Sequence, residues 1–229
     1  MNVLEWLIDG TIPVPGGSLS APEVIGNLFG LASAVLGMKR LVWAWPVGLM
    51  GNVLLFVVFA SGELSGAVAD PLWGQAGRQV FFAAVSLYGW WRWTQARRAG
   101  GAADGGAITV RWATWGERAQ LLALGVVGYG VAYAALQQIG SWGPVTEAWI
   151  LAGSMLATYG MARGWVEFWL VWMLVDVVGV TTLVRAQYYP TAAMYLVYAA
   201  FVVVGFVVWV RASSRSASPS DPGVESVAA

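Results

Sequence analysis

The sequence predicts an all-α membrane protein with seven transmembrane helices, and three observations lead to that prediction. First, 59% of the 229 residues are apolar and only 10% are charged, whereas a soluble domain carries about 25% charged residues. Second, the mean hydropathy of the chain is +0.66. Third, apolar runs such as 197–210 do not alternate with polar residues, which excludes the strands of a membrane β-barrel. α-Helices then remain as the structure in which the backbone N–H and C=O groups can all be hydrogen-bonded within lipid.

Seven stretches meet the requirement of roughly 20 mostly apolar residues for a membrane-crossing helix. These spans 1 to 7 are expected at 23–38, 41–61, 72–93, 117–137, 145–162, 165–184 and 190–211. Residues 1–22 form an N-terminal extracellular segment, with an unstructured Gly/Pro/Ser loop at 10–21. Residues 94–116 form a cytoplasmic loop. The Ser/Pro-rich residues 212–229 are expected to be a disordered cytoplasmic tail.

The distribution of charge predicts the orientation. Ten of the twelve basic residues fall between spans 1 and 2, 3 and 4, or 5 and 6, or near the end of span 7. Acidic residues such as Glu5, Asp9 and Glu63 lie in the other loops. The positive-inside rule then places the N-terminus outside and the C-terminus in the cytoplasm. Tryptophans near the span ends are expected to form an interfacial belt; they are Trp43, Trp91, Trp93, Trp142 and Trp209.

Missing residue types exclude several kinds of chemistry. The chain has no cysteine and no histidine, so disulfides, thiol nucleophiles, Ser-His-Asp triads and ordinary zinc sites are excluded. No pair of carboxylates and no phosphate loop indicates hydrolysis, so we expect no catalytic residues, no metal and no cofactor. Zero net charge argues against nucleic acid as a partner. The single lysine, Lys39, lies in a loop, which excludes a retinal-type light sensor.

An internal repeat is visible in the order of a few residues. Trp45 precedes Asn52 by seven residues, as Trp169 precedes Asp176. The sequence Gly-Met-Lys-Arg at 37–40 returns as Gly-Met-Ala-Arg at 160–163. The repeats would be the three-helix units 23–93 and 145–211, joined by the linking helix 117–137. One intervening span restores the orientation of the second unit, which gives the parallel 3+1+3 arrangement of SWEET-type transporters.

Span 6 contains the most specific group of candidate residues. Trp169, Trp172 and Asp176 are spaced i, i+3 and i+7, which places them on one helical face. A carboxylate in the middle of a span is costly unless it faces a wet cavity or a partner, and two indoles above it could stack on a planar ring. The alternative is that both tryptophans pack the bundle and Asp176 bonds to a neighbouring helix.

Other candidates for substrate binding come from spans 2, 3 and 7. They are Trp45 and Asn52, the i, i+4 amide pair Gln75 and Gln79, and the phenols Tyr195 and Tyr198. Each has a structural alternative in helix packing or hydrogen bonding between helices. Arg78 lies about two turns into span 3, and we expect its side chain to snorkel towards the outer interface.

Two stretches resemble the Pnu family of bacterial vitamin transporters. They are 162–172, which reads ARGWVEFWLVW and is followed by Asp176, and 79–93, which ends in Gly-Trp-Trp-Arg-Trp. Residues 113–119, ATWGERA, look most like the actinobacterial riboflavin branch, and the residues 179–181 depart from the nicotinamide riboside pattern.

The resemblance implies a multi-pass protein of the bacterial plasma membrane that takes up an unphosphorylated B vitamin, with riboflavin as the first expectation. It implies facilitated diffusion, with metabolic trapping by cytoplasmic phosphorylation, and self-association into a homo-oligomer. Nicotinamide riboside or thiamine is the alternative substrate within the same family, and a sugar or other small metabolite is the alternative outside it.

Overall fold

A computed structural model gives the fold and describes residues 10–14, 17–61, 63–64, 67–68, 73–138, 143–185 and 189–217. These residues form seven helices and two short hairpins. The helices are α1 (Ala21–Met38), α2 (Ala44–Ser61), α3 (Trp73–Arg98), α4 (Trp115–Gln138), α5 (Pro144–Arg163), α6 (Glu167–Arg185) and α7 (Tyr189–Ala217). Each predicted span overlaps one of these helices, so the prediction of seven helices in an all-α bundle is confirmed.

The loop between α3 and α4 is shorter than the predicted 94–116. It covers residues 99–114 and is called the α3–α4 loop below. At its far end, a capping box begins α4: the backbone N–H of Thr114 donates to Oε2 of Glu117, and the N–H of Glu117 donates to Oγ1 of Thr114. This reciprocal pair satisfies two of the free N–H groups at the helix start. The helix therefore begins at Trp115, before its apolar run.

Two short hairpins lie outside the helices, and the first replaces a loop that was expected to be unstructured. Strands β1 (Thr11–Val14) and β2 (Gly17–Ser20) pair antiparallel, so the unstructured loop predicted at 10–21 was wrong. The carbonyl of Gly10 accepts a hydrogen bond from the N–H of Ala21 at 2.7 Å, which attaches the hairpin to the start of α1. Strands β3 (Glu63–Leu64) and β4 (Ala67–Val68) form the second hairpin between α2 and α3. In the first hairpin, hydrogen bonds between the paired backbones form although residues 10–21 are rich in Gly and Pro.

The predicted tail 212–229 also starts later than expected. Helix α7 continues to Ala217, so residues 212–217 are helical. Residues 218–229 lie outside the described part of the structure, and so does Trp142.

Small residues let α1 and α2 pack closely. A Cβ added to Gly51 would lie 2.9 Å from the carbonyl oxygen of Gly26 and 3.3 Å from the backbone nitrogen of Gly30. Gly26 and Gly30 form a Gly-x-x-x-Gly stripe on α1. Such stripes bring helix backbones into contact where lipid provides no hydrophobic drive for association.

The turns that follow α1 and α5 have the same backbone geometry. Arg40 (φ 57°) and Gly164 (φ 77°) both adopt the left-handed conformation. The N–H of Leu41 donates to Leu36, and the N–H of Trp165 donates in the same way to Gly160. The α3–α4 loop bonds to both turns. We call the end of the bundle that carries these turns and this loop the loop end.

Apolar side chains cover much of the bundle surface. On α4, Leu122, Val126, Val127 and Val131 are all more than half exposed. Two helical stretches are long and apolar enough to cross a membrane, Trp115–Gln138 and Tyr198–Arg215, and shorter apolar stretches occur at Val24–Met38 and Ala44–Ala60. An apolar surface of this extent is unfavourable in water and indicates contact with lipid or another apolar partner.

Candidate substrate-binding site

A cavity of about 480 Å³ lies between six of the helices, α1, α2, α3, α5, α6 and α7. Its volume falls within the range of about 300–1,000 Å³ that is typical of small-molecule sites. Its lining is mainly apolar but also includes polar side chains and indoles. Those are Asn27, Ser33, Trp45, Asn52, Arg78, Gln79, Ser86, Ser154, Thr158, Trp169, Trp172, Asp176 and Tyr198.

The structure brings seven of the nine predicted site residues into this one cavity. They are Trp45, Asn52, Gln79, Trp169, Trp172, Asp176 and Tyr198. The side chains of Gln75 and Tyr195 lie outside the described part of the structure. Predicted site residues from α2, α3, α6 and α7 therefore line the same cavity.

Asn52 and Asp176 occupy corresponding positions in α2 and α6 and differ in their surroundings. The amide nitrogen of Asn52 donates to Oγ of Ser86 on α3 at 3.4 Å, a weak bond between two helices. Asp176 is 6% exposed, and its Oδ2 has no hydrogen-bond partner among the described residues. Buried carboxylate oxygens are normally bonded. An unbonded one that lines a cavity is available to accept a hydrogen bond from a bound molecule.

Trp45 and Trp169 stand in equivalent pockets, each against a glycine. A Cβ added to Gly89 would lie 2.5 Å from the ring atoms Cζ2 and Cζ3 of Trp45, and a Cβ on Gly205 would lie 2.5 Å from the same atoms of Trp169. Both tryptophans are only 3% exposed. Each indole Nε1 is buried without a hydrogen-bond partner among the described residues. The two equivalent tryptophans therefore each have a buried indole donor without a partner among the described residues.

Trp93 and Trp209 lie behind this pair and complete a layer of four indoles, which we call the tryptophan layer. Trp93 packs edge-on against Trp45 at 5.2 Å between ring centroids, and Trp209 packs edge-on against Trp169 at 6.2 Å. The Nε1 of Trp93 donates to the carbonyl of Ala162, and the Nε1 of Trp209 donates to that of Met38. Each bond crosses from one half of the chain to the end of the first helix in the other half.

The prediction that Trp93 and Trp209 belong to an interfacial belt was therefore wrong. Both side chains are fully buried, because each fits behind a cavity tryptophan and bonds to a helix-terminal carbonyl. Trp43 and Trp91 are 67% and 61% exposed, as belt residues would be.

Several cavity residues were not among the predicted site residues. Arg78 lines the cavity, whereas the sequence predicted only that its side chain reaches towards the outer interface. Asn27, Ser33, Ser86, Ser154 and Thr158 line it as well. The hydroxyls of Ser33, Ser154 and Thr158 bond to backbone carbonyls at 2.6–2.8 Å. Such small polar residues give a weak sequence signal because a helix can satisfy them locally.

The α3–α4 loop closes the bundle behind the tryptophan layer. Its residues Ala107, Ile108 and Val110 are buried in the same apolar cluster as Trp93 and Trp209. The N–H of Ala107 donates to the carbonyl of Arg40, and the N–H of Arg111 donates to that of Gly164.

A bidentate ion pair fixes one side of this loop. Arg40 donates from both terminal nitrogens to Asp104 at 2.9 and 2.6 Å. This pairing lowers the pKa of the Asp104 carboxyl. A Cβ on Gly106 would lie 2.8 Å from the Arg40 guanidinium, so a larger residue there would require the Arg40 side chain to shift. Holding Arg40 in the left-handed conformation costs about 1–3 kcal/mol, and the two charge-assisted hydrogen bonds to Asp104 act in the opposite direction.

Glu167 fixes the other side of the loop. Its carboxylate accepts the N–H of Ala113 and the Nε of Arg118, each at 3.0 Å. Glu117, one turn into α4, accepts two bonds from Arg111 at 2.6 and 2.7 Å. The loop is thus attached to α1, α4, α5 and α6 by charged groups and backbone bonds.

The site is built for binding. Among the described residues, no group of three acidic side chains is placed to hold a metal ion. A helical bundle with an apolar surface, and with a cavity among its helices that is lined by polar side chains and indoles, is typical of membrane proteins that bind a small organic molecule. Sequence and structure comparisons identify the family.

Residues 20–211 match the sequence model of the family described as "Nicotinamide mononucleotide transporter". The chain is 38% identical over 219 residues to the riboflavin/roseoflavin transporter RibM of Streptomyces davaonensis, which covers 94% of this chain and 97% of that one. It is 23% identical over 242 residues to the nicotinamide riboside transporter PnuC of Escherichia coli K12, which covers 95% and 96%. The crystal structure of a vitamin B3 transporter PnuC superposes with a TM-score of 0.65 at 19% identity, over 85% of this chain and 83% of that chain.

This chain belongs to the nicotinamide mononucleotide transporter family, and it has the PnuC fold. The resemblance to the Pnu transporters is thus confirmed. The relatives are transporters and not enzymes, which confirms the expectation of a non-enzymatic protein. Family membership and the apolar surface together place the chain in a membrane.

Proposed function

We propose that this protein takes up an unphosphorylated B vitamin, riboflavin first, by facilitated diffusion, and that phosphorylation in the cytoplasm traps the vitamin. The observation that supports this most directly is the cavity in which Trp169, Trp172 and Asp176 meet Asn52 and Gln79. The relative at 38% identity, named as a riboflavin/roseoflavin transporter, supports the choice of substrate.

The chemistry of riboflavin fits this lining. Its isoalloxazine is a flat tricyclic system that needs aromatic surface, which Trp169 and Trp172 provide. Its uracil-like edge offers two carbonyl acceptors and one N–H donor. The amides of Asn52 and Gln79 can both donate and accept, and Asp176 can accept the N–H.

Nicotinamide riboside is the second candidate, because a relative at 23% identity is named for it. It is smaller than riboflavin and carries a positive charge, which Asp176 could balance.

A binding panel separates these substrates. Isothermal calorimetry on purified protein should detect riboflavin and give weaker or no signal with nicotinamide riboside, thiamine and glucose. Trp169→Ala and Asp176→Ala should abolish riboflavin binding in protein that still elutes as a folded species. Trp169→Ala should also melt at a lower temperature, because the indole packs in the core against Trp209, so binding is measured below the melting temperature of the variant. Trp43→Ala serves as the matched control, since Trp43 is exposed and does not line the cavity. Equal binding by wild type and both cavity variants would refute the site.

Facilitated diffusion makes a separate prediction in proteoliposomes. Riboflavin should equilibrate to equal concentrations inside and outside, with no effect of proton or sodium gradients. Accumulation should require a riboflavin kinase and ATP enclosed in the vesicle. Uphill accumulation without the kinase would refute this part of the proposal.

We also propose that the protein consists of the parallel repeats 23–93 and 145–211 around the linking helix. Four matched features support this arrangement: the left-handed turns at Arg40 and Gly164, the tryptophan–glycine pairs, the tryptophan layer, and the hydrogen bonds of that layer to equivalent carbonyls. The homo-oligomer that the family resemblance implies stays part of the proposal, and its test is the mass of the purified protein in detergent.

The proposed orientation has the N-terminus outside and the α3–α4 loop in the cytoplasm. Because the chain contains no cysteine, single cysteines can be introduced for labelling. A membrane-impermeant maleimide should label Thr11→Cys in intact cells and Ala103→Cys only after permeabilisation. The reverse pattern would invert the assignment.

A further inference from the structure

Two hydrogen bonds of the tryptophan layer cross between the two halves of the chain. The Nε1 of Trp93, in α3, donates to the carbonyl of Ala162 at the end of α5, at 3.3 Å. The Nε1 of Trp209, in α7, donates to the carbonyl of Met38 at the end of α1, at 3.2 Å. In each bond the donor lies in the last helix of one half and the acceptor in the first helix of the other half. A separation of the two halves at this level therefore breaks these bonds.

The tryptophan layer lies between the cavity and the loop end. Met38 and Met161 line the cavity next to the layer. On the other side of the layer, the loop residues Ala107, Ile108 and Val110 belong to the same buried apolar cluster as Trp93 and Trp209. Packed apolar side chains therefore close the cavity at the loop end.

The cavity is more accessible in the other half of the bundle. Asn27 and Gly30, in the first half of α1, line the cavity and are exposed. We call the end of the bundle at which α1 begins the far end. The structure thus has a cavity that is closed towards the loop end and reachable from the half near the far end. A transporter must also expose the same site on the opposite side.

We propose that the tryptophan layer is the loop-end gate of the transport pathway, and that the bonds of Trp93 and Trp209 across the two halves hold this gate closed. This inference rests on the proposed transport function, and it adds the residues that control access to the site. In transporters built from repeats, access alternates largely by rocking of one repeat against the other around a fixed site.

A rocking motion needs contacts between the halves that form in one state and break in the other. The two indole bonds meet this requirement. The edge-on pairs Trp45–Trp93 and Trp169–Trp209 each lie within one half, so each pair can move as a unit with its half. Opening of the gate therefore has to break the two hydrogen bonds, and it can leave the packing of each pair in place.

Labelling of a cysteine inside the cavity measures this gate without any substrate. Thr158 lines the cavity in α5, and the chain contains no cysteine, so Thr158→Cys reports access to the cavity alone. Ala103→Cys, at an exposed position of the α3–α4 loop, shows which side of the membrane is the loop side in intact cells and in inverted vesicles. With a membrane-impermeant methanethiosulfonate, Thr158→Cys should react mainly from the opposite side.

Removing either indole donor should raise the rate of labelling from the loop side. One neutral hydrogen bond changes an equilibrium by about two- to tenfold, so Trp93→Phe and Trp209→Phe should each raise that rate by this factor. Because both bonds break in the same opening, the double variant should show the product, about four- to hundredfold. Labelling from the far side should not rise, whereas general loosening of the bundle would raise labelling from both sides.

Two further variants separate the bond across the halves from other effects of losing an indole. The Nε1 of Trp149 donates to the carbonyl of Leu174 at 3.4 Å, an indole–carbonyl bond within the second half. Trp149→Phe should therefore leave the labelling unchanged. Replacing Trp209 by benzothienylalanine keeps the bicyclic shape and puts sulfur in place of the N–H group. This protein should show the same rise as Trp209→Phe, and it provides the measurement if the smaller phenylalanine disturbs folding.

An unchanged rate of labelling from the loop side in the benzothienylalanine protein would overturn the inference. An equal rise in Trp149→Phe, or an equal rise from both sides of the membrane, would overturn it as well. Because the labelling needs no ligand, these outcomes do not depend on riboflavin being the substrate. Failure of wild-type protein to bind riboflavin would instead overturn the proposed function.

Discussion

The matched glycines Gly89 and Gly205 give the sharpest test of this architecture. An alanine at either position would place its Cβ 2.5 Å from ring atoms of Trp45 or Trp169. Carbon atoms pack best at about 3.5–4.0 Å, so each ring would have to move by about 1 Å. Trp45 already packs against Trp93, and Trp169 against Trp209. Such overpacking of a filled core costs about 1–3 kcal/mol.

A gain in helix propensity partly offsets this cost. Replacing glycine by alanine within a helix stabilises it by about 1 kcal/mol. The net effect expected for Gly89→Ala and Gly205→Ala is thus a loss of about 0–2 kcal/mol relative to wild type. Gly130→Ala is the matched control, because an added Cβ there meets nothing within 4 Å. This control should only gain stability.

Thermal melts in detergent measure the difference. For a chain of this size, a change of about 1 kcal/mol moves the Tm by about 2–4 °C, so each variant should melt about 2–12 °C below Gly130→Ala. Riboflavin binding should weaken too, since each displaced indole lines the cavity. If both variants melted with the control and bound riboflavin as wild type does, the contacts of the tryptophan layer would be wrongly assigned.

Three further substitutions probe the loop end and the helix packing. Arg40 lowers the pKa of Asp104, so their ion pair stabilises the fold above the ordinary carboxyl pKa, and this stabilisation is lost as the pH falls through the lowered value. Melts of wild type and Asp104→Asn should therefore differ at pH 7 and converge as the pH is lowered past the ordinary carboxyl pKa. Glu167→Ala removes the acceptor of a buried backbone N–H in the α3–α4 loop and should cost about 1–3 kcal/mol, with faster proteolysis of that loop and no change in proteolysis elsewhere. Gly51→Leu forces α2 away from the backbone of α1 and should abolish a monodisperse elution peak, whereas Gly130→Leu should not.

The sequence predicted the helices well because their signal is long. Seven apolar stretches in 229 residues leave little choice of element type, and lipid enforces the helix. The hairpin at 11–20 was missed because a short strand pair depends on backbone pairing, and Pro and Gly in that stretch indicate only a loop. The start of α4 could have been predicted, since Thr114 and Glu117 are a capping box in the sequence.

The sequence singled out candidate residues where a polar side chain occurs in an otherwise apolar span, and those that the structure describes line the cavity. Asp176 and Asn52 are polar residues in otherwise apolar spans. Each follows a tryptophan by seven residues, which indicated that they occupy corresponding positions in the repeat. Trp93 and Trp209 were misassigned because an indole near a span end looks the same in a belt and in a core. The preceding glycine, four residues before each, marks the core pair, because it makes room for the cavity tryptophan. Arg78 was not among the predicted site residues, because its position in the sequence does not reveal which side of α3 borders the cavity.

The α3–α4 loop constrains how the two halves of the bundle can move during transport. Ala107 bonds to the turn after α1, and Arg111 bonds to the turn after α5. These two loop residues are four positions apart, so their Cα atoms can separate by no more than about 14 Å. A motion that opens the loop end between these turns must stretch the loop within this limit or break one of the two bonds. Both attachments are reinforced by ion pairs: Arg40 is held to Asp104 by two short bonds, and Arg111 is held to Glu117 on α4 as well as to Gly164. Because the ion pair with Asp104 holds the loop to α1 only, opening at the loop end must either break that pair or carry the loop along with α1 and break the bond to Gly164.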